Sequence, residues 1–116
     1  MTHIMMPTLF IKPGHVEEFI ELIRAEVEHS LRVEPGILRF DLTRDKQDET
    51  VIHVYAVYAD EAAYAFHQAQ SYYKELMEKM LPLFERMPDI RMATNLLPRD
   101  ADWAELHAAR KRALGK

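Results

Sequence analysis

Residues 50–59, Thr-Val-Ile-His-Val-Tyr-Ala-Val-Tyr-Ala, are rich in β-branched and aromatic types and predict a strand. Alternation puts Val51, Tyr55 and Val57 on one side and Ile52, Val54 and Tyr58 on the other. Both sides are apolar, so this strand needs cover on both. That demand constrains the fold more than any other feature. Helices packed on one face of a sheet leave the opposite face bare, and a bare apolar sheet is an interaction surface.

The flanking segments supply the helices and the rest of the sheet. Residues 3–11 are mostly apolar and end at the turn signal Pro13-Gly14. Pro7 cannot donate to a strand ladder, so it implies a bulge, an edge or a late strand start. Val16, Phe19, Ile20, Ile23, Val27 and Leu31 recur at helical spacing, with Glu17, Glu18, Glu21, Arg24 and Glu28 on the other side. Glu34-Pro35-Gly36 ends that connection. Residues 37–44 alternate, which predicts Leu38, Phe40 and Leu42 towards the helices and Arg39, Asp41 and Thr43 away from them. If Ile52, Val54 and Ala56 join the first set, His53 and Tyr55 share the face of Arg39 and Asp41.

After a polar hairpin at 45–49, Asp60 is a plausible N-cap for a short helix to about Ala69. Tyr73, Leu76, Met77, Met80, Phe84 and Met87 then suggest a second helical stretch, kinked at Pro82. Residues 90–97 read as a last strand after the break at Pro88 and Asp89. Asp100 or Asp102 opens a terminal helix, with Asp102 and Glu105 spaced as a capping box.

The succession is β-α-β-β-α-β, the ferredoxin-like plan of an α+β protein: an antiparallel sheet with helices on one face, here with an extra C-terminal helix. Residues 1–98 form the ferredoxin-like domain and 99–116 a helical extension. The second cover predicts a homodimer packed sheet to sheet. The alternative is a terminal helix folded back over its own sheet.

Composition removes several functions. There is no cysteine, which excludes disulfides, thiolate metal sites and cysteine nucleophiles. The formal net charge of −4, with both signs interspersed, argues against a nucleic-acid-binding face. The basic run Arg110-Lys111-Arg112 is explained by cations complementing a helix C-terminus. No apolar run approaches the roughly 20 residues of a membrane span. The N-terminus lacks the features of a signal peptide, so a cytoplasmic protein is expected. The three glycines form no phosphate-binding motif. The histidines at 3, 15, 29, 53, 67 and 107 make no H-x-H, H-x₃-H or H-E-x-x-H pattern, and no metal is expected. No G-x-S-x-G element is present either.

His67, near the end of the short helix, is the first candidate for proton transfer, because imidazole titrates near neutrality. Its bland reading is a hydrogen-bonded structural histidine. Tyr73 could orient an oxygen and Lys74 could hold an anion; core packing and a solvated charge are the competing readings. Arg39 and Asp41, at i and i+2 on a strand, suit either substrate binding or an ion pair at the dimer interface. His53 and Tyr55 have the same status. Asn95 could bind a carbonyl or satisfy the backbone.

The runs Lys12-Pro13-Gly14, Glu34-Pro35-Gly36, Asp60-Glu61-Ala62-Ala63 and His67 occur in an order that resembles the antibiotic biosynthesis monooxygenase family, over about residues 3–98. Leu38-Arg39-Phe40-Asp41 and Phe66-His67 with Tyr73-Lys74 look most like the branch that isomerises a phosphorylated autoinducer. Quinol monooxygenases are the other near branch. The resemblance implies a dimeric α+β barrel with a small pocket per subunit and no cofactor. It implies a cofactor-independent monooxygenase of a small aromatic or quinol substrate, which reduces O₂ itself. There His67 would be the acid/base, Tyr73 the orienting group, and Arg39 or Lys74 the holder of an anionic oxygen. An isomerase of a phosphorylated dicarbonyl and a non-catalytic dimeric binding or stress-response domain are the alternatives. Many relatives carry a glutamate where this chain has Ala56. The position of the haem-degrading relatives' histidine corresponds to Met77, against haem. The tail from about Asp100 lies beyond the usual family end, with Trp103 as a possible anchor on a partner.

Overall fold

The computed structural model describes residues 2–115. Its elements run β1 (His3–Ile11), α1 (Val16–Val33), β2 (Ile37–Arg44), β3 (Val51–Tyr58), α2 (Glu61–Ala69), α3 (Ser71–Met80), a 3₁₀ turn (Leu81–Leu83), β4 (Phe84–Ala93), a second 3₁₀ turn (Asp100–Asp102) and α4 (Trp103–Ala113). The sheet order is β2-β3-β1-β4, every pair antiparallel. This is the ferredoxin-like arrangement, with the extra helix at the C-terminal end. No described helix is long and apolar enough to cross a membrane.

The register sorts the sheet residues as the alternation requires. Asp41 pairs with Tyr55 and Thr43 with His53 on the outer face. Ile52, Val54, Ala56 and Tyr58 are buried beneath the helices with Phe19, Ile23 and Leu76. Leu38 departs from its expected place. A bulge between Ile37 and Arg39 shifts the ladder, so Ile37 is buried and Leu38 is exposed on the outer side. An extra residue in one strand breaks strict alternation at that point.

Pro7 lies inside β1, a central strand, and the β1–β4 register slips between Thr8 and Phe10 just beyond it. The expected helix through Phe84 and Met87 is corrected. Pro82 has no N–H to continue the ladder, so α3 ends at Met80 and a 3₁₀ turn leads directly into a strand. Phe84 pairs with Ile11, and its burial comes from the sheet. The last strand is therefore 84–93 and not 90–97. It contains Pro88, which an edge strand tolerates because one side of its ladder is free. The expected capping box at α4 is also absent. Asp102 makes no cap bond and accepts instead from Arg99 Nε at 2.6 Å.

One close approach sets the geometry of the site. A Cβ placed on Gly36 would lie 2.6 Å from Ala63 Cβ. The turn Glu34-Pro35-Gly36 therefore packs against the first turn of α2 only because Gly36 has no side chain. Ala59 N–H donates to Gly36 C=O at 2.8 Å and holds the same junction. Two short sequence runs, far apart in the chain, interlock here.

Candidate active site

The site grows from that junction. Asp60 Oδ1 accepts from Ala63 N–H at 2.8 Å and starts α2 at a defined residue. Helical spacing then puts Ala63, Tyr64 and His67 on one face, directed at the sheet. His67 is 2 % exposed. Its Nδ1 lies 2.9 Å from Glu34 Oε2, and Glu34, at the C-cap of α1, is itself buried. The Tyr72 hydroxyl donates to the same carboxylate oxygen. In the neutral tautomer whose Nδ1–H donates to Glu34, the lone pair is on Nε2. Nε2 lies 3.6 Å from Glu26 Oε1, and Ser30 Oγ donates to that oxygen at 2.6 Å.

One imidazole thus sits between two buried carboxylates. Burial pushes the Glu26 carboxyl up from its ordinary value, while the Ser30 hydrogen bond and His67 pull it down. Burial first, and then the hydrogen bond to Glu34, push the Tyr72 phenol up to about 12. Tyr72 is therefore a donor throughout the neutral range. A buried site that holds one proton-accepting nitrogen beside a carboxyl biased to keep its proton can both remove and return a proton.

His67 and Glu26 border a cavity of about 150 Å³ between helices and sheet, with Glu34, Tyr72 and Ser30 behind its wall. His67, Glu26, Tyr58, Tyr64, Tyr73 and Gln68 supply its polar wall, and Phe40, Leu76, Met77 and Met80 part of its apolar wall. The Tyr73 ring meets His67 edge to face at a centroid distance of 4.9 Å. Among the described residues no three His, Asp or Glu side chains form an arrangement that would hold a metal ion.

The structure divides the residues singled out from the sequence. His67 and Tyr73 share the cavity. Lys74 is exposed on α3 and is not part of the cavity wall. Arg39 and Asp41 form an ion pair at 2.5 Å on the outer face of the sheet, away from His67. Asn95 lies beyond the end of β4, and its Nδ2 donates to Pro98 C=O at 2.6 Å and Asp100 Oδ1 at 2.9 Å. Arg39 and Asn95 line a different cavity, about 510 Å³, roofed by Leu97, Pro98 and Trp103 over Ile4, Leu38, Tyr55 and Val57. The segment after β4 thus covers part of its own sheet, while Trp103, Leu106 and Leu114 remain mostly exposed.

Glu26, Ser30, Glu34 and Tyr72 were missed from the sequence. A signal existed for the first two. Phe19, Ile23, Glu26 and Ser30 follow one another at spacings of four, three and four, so the polar pair continues the buried stripe of α1. Leu31, placed in that stripe from the sequence, is instead 44 % exposed.

The antibiotic biosynthesis monooxygenase family model matches residues 2–79. The chain belongs to this family. An isomerase of (4S)-4-hydroxy-5-phosphonooxypentane-2,3-dione from Salmonella paratyphi B is 33% identical over 96 residues, spanning 83% of this chain and 99% of the relative. The enzyme of the same name from Klebsiella pneumoniae is 38% identical over 88 residues, 76% of this chain and 89% of the relative. Among solved structures, a putative antibiotic biosynthesis monooxygenase from Bacteroides thetaiotaomicron superposes with a TM-score of 0.78 at 31% identity, over 84% of this chain and 91% of that one. Another, from Caulobacter crescentus CB15, gives 0.79 at 27% identity, over 82% and 90%. The family's architecture is therefore shared across the sheet and the helices that frame His67.

Proposed function

We propose that this family member is an isomerase of a small hydroxy-dicarbonyl of the phosphonooxypentanedione type, working by proton transfer at His67. The carrying observation is the buried imidazole held between Glu34 and Glu26 on the wall of a cavity. In a 4-hydroxy-2,3-dione the hydrogen on C4 is α to the C3 carbonyl. His67 Nε2 removes it, and the electron pair passes into an enediolate across C3 and C4. Return of a proton to C3 and loss of the O4 proton give a 3-hydroxy-2,4-dione. One hydrogen moves between carbons and one between oxygens, so the reaction needs no oxidant. Glu34 stabilises the imidazolium, and the Glu26 carboxyl returns the proton.

Size supports a divided binding mode. An apolar cavity of about 150 Å³ holds a benzene-sized molecule, enough for the dione end and not for the phosphate. A groove of about 400 Å³ between α1 and β2 shares Ile23 and Phe40 with the cavity wall and carries Arg24 and Arg44. The phosphonooxy group would lie there. The same size favours a second reading, in which a single phenol or quinol ring occupies the cavity and O₂ is the co-substrate. The chain would work as a homodimer, its outer face and terminal arm covered by a second copy. Its radius of gyration of 16.2 Å exceeds the roughly 13 Å of a compact 100-residue domain.

The test is isomerisation of the hydroxydione under nitrogen in D₂O, followed by NMR. Conversion with deuterium entering at C3 is expected. Absence of conversion, with oxygen consumed when quinols are supplied in air, would replace the first reading by the second.

A further inference from the structure

The strongest unexplained polar group in the molecule is the Tyr58 hydroxyl. Tyr58 ends β3, is 0 % exposed, and lines the same cavity as His67. Its ring stands 5.2 Å from Tyr64 and 5.9 Å from His67 by centroids, so the packing around it is aromatic and close. The hydroxyl nevertheless has no hydrogen-bond partner. Around it Glu26 is met by Ser30, His67 Nδ1 by Glu34, and the Tyr64 oxygen by Gln68 Nε2 at 3.0 Å, while Glu34 Oε1 and His3 Nε2 also lack partners. A buried donor without a partner costs stability that phenylalanine would not cost. A tyrosine there needs a partner that the chain itself does not supply.

We infer that Tyr58 is the donor that grips the reacting oxygen of the ligand. It would hydrogen-bond the oxygen that gains negative charge when a proton leaves the adjacent carbon or hydroxyl. The ligand class is a small planar molecule bearing an enolate or phenolate oxygen. This inference deepens the proposed isomerase reading and rests on its cavity. Desolvation raises the Tyr58 phenol strongly, helped by Tyr64, Tyr73, Glu26 and Glu34, so the group keeps its proton and can only donate to such an anion. A donor already desolvated and aligned stabilises developing charge without reorganising water.

Tyr58→Phe tests the assignment because fold and function should move in opposite directions. The melting temperature is expected to hold or rise, since an unpartnered hydroxyl is removed from an otherwise unchanged ring. Binding is read with two probes: pentane-2,4-dione, through the ultraviolet absorbance of its enolate, and phenol, by calorimetry. The variant is expected to bind the preferred probe roughly tenfold more weakly, the value of one hydrogen bond to a charged oxygen. Preference between the probes separates the enolate source from the phenolate source. Equal binding by wild type and variant overturns the inference, as does a wild type that binds neither probe. Probe binding that depends on Tyr58, without turnover of the hydroxydione, overturns the isomerase reading alone.

Discussion

The two faces of the sheet carry similar polar residues and use them in opposite ways. On the outer face of the single chain Arg39 pairs with Asp41, and His53 Nε2 lies 2.8 Å from Asp45, each of these side chains partly or largely exposed. On the helix face His67 pairs with Glu34 where the side chains are 2 % and 3 % exposed. Water screens the first set, and exposed pairs of this kind contribute little to stability. The second set has lost its water, so each proton and each charge is held by named neighbours. The lesson is that the kind of residue does not locate a site; the dielectric around it does.

The largest test of that contrast is His67→Ala. Turnover of the hydroxydione should fall by roughly 10² to 10⁴, the usual contribution of a positioned acid or base, while His53→Ala on the other face leaves it unchanged. Steady-state kinetics on both variants checks this, and equal losses would erase the distinction between faces.

Next in size is Glu34→Gln. It removes one charged acceptor shared by His67 and Tyr72 in a buried place. Urea unfolding should show a loss of roughly 1–3 kcal/mol, because a neutral amide oxygen replaces the charged acceptor and the new amide NH2 has no buried acceptor of its own.

Glu26→Gln tests the sign of the buried carboxyl. Burial raises the folded-state value above 4.5. The folded state therefore holds its proton more tightly than the unfolded chain does. That advantage is complete below about pH 4.5 and is lost as pH rises through the folded value. The wild type should lose stability over that window, and the variant should lose the slope. The groups facing Glu26 are His67, Glu34, His29 and Ser30, so the curve is best compared between variants over the whole range.

The smallest effect is expected from Asp41→Asn. The Arg39 partner is 66 % exposed in the single chain, so at protein concentrations too low for pairing a denaturation midpoint unchanged within error is the expected result. A clear loss that appears only at higher protein concentration marks the second copy covering the outer face.

Much of the frame was legible in the sequence because periodicity is local. The β-branched and aromatic run at 50–59 identified β3, and the stripe of α1 identified its buried side through Ile23. The Glu34-Pro35-Gly36 and Asp60-Glu61-Ala62-Ala63 runs marked both sides of the junction that holds the site. The boundary after Met80 was not legible, because Phe84 and Met87 fit a helical spacing as well as a strand. The missing N–H of Pro82 and the pairing of Phe84 with Ile11 settled it. Within the site, His67 stood out as a lone histidine on a short helix, whereas Glu34 looked like part of a turn.

The amino-acid order alone determined the succession of elements, the two apolar sides of β3 and the presence of one imidazole at the end of α2. These depend on spacing within one segment. The folded structure alone decided that Glu26, Glu34 and Tyr72 meet that imidazole, that Arg39, Asp41 and Asn95 do not, and that Tyr58 is left with a free hydroxyl beside the cavity. Those outcomes depend on which faces are stripped of water when distant segments pack, and no local pattern encodes that.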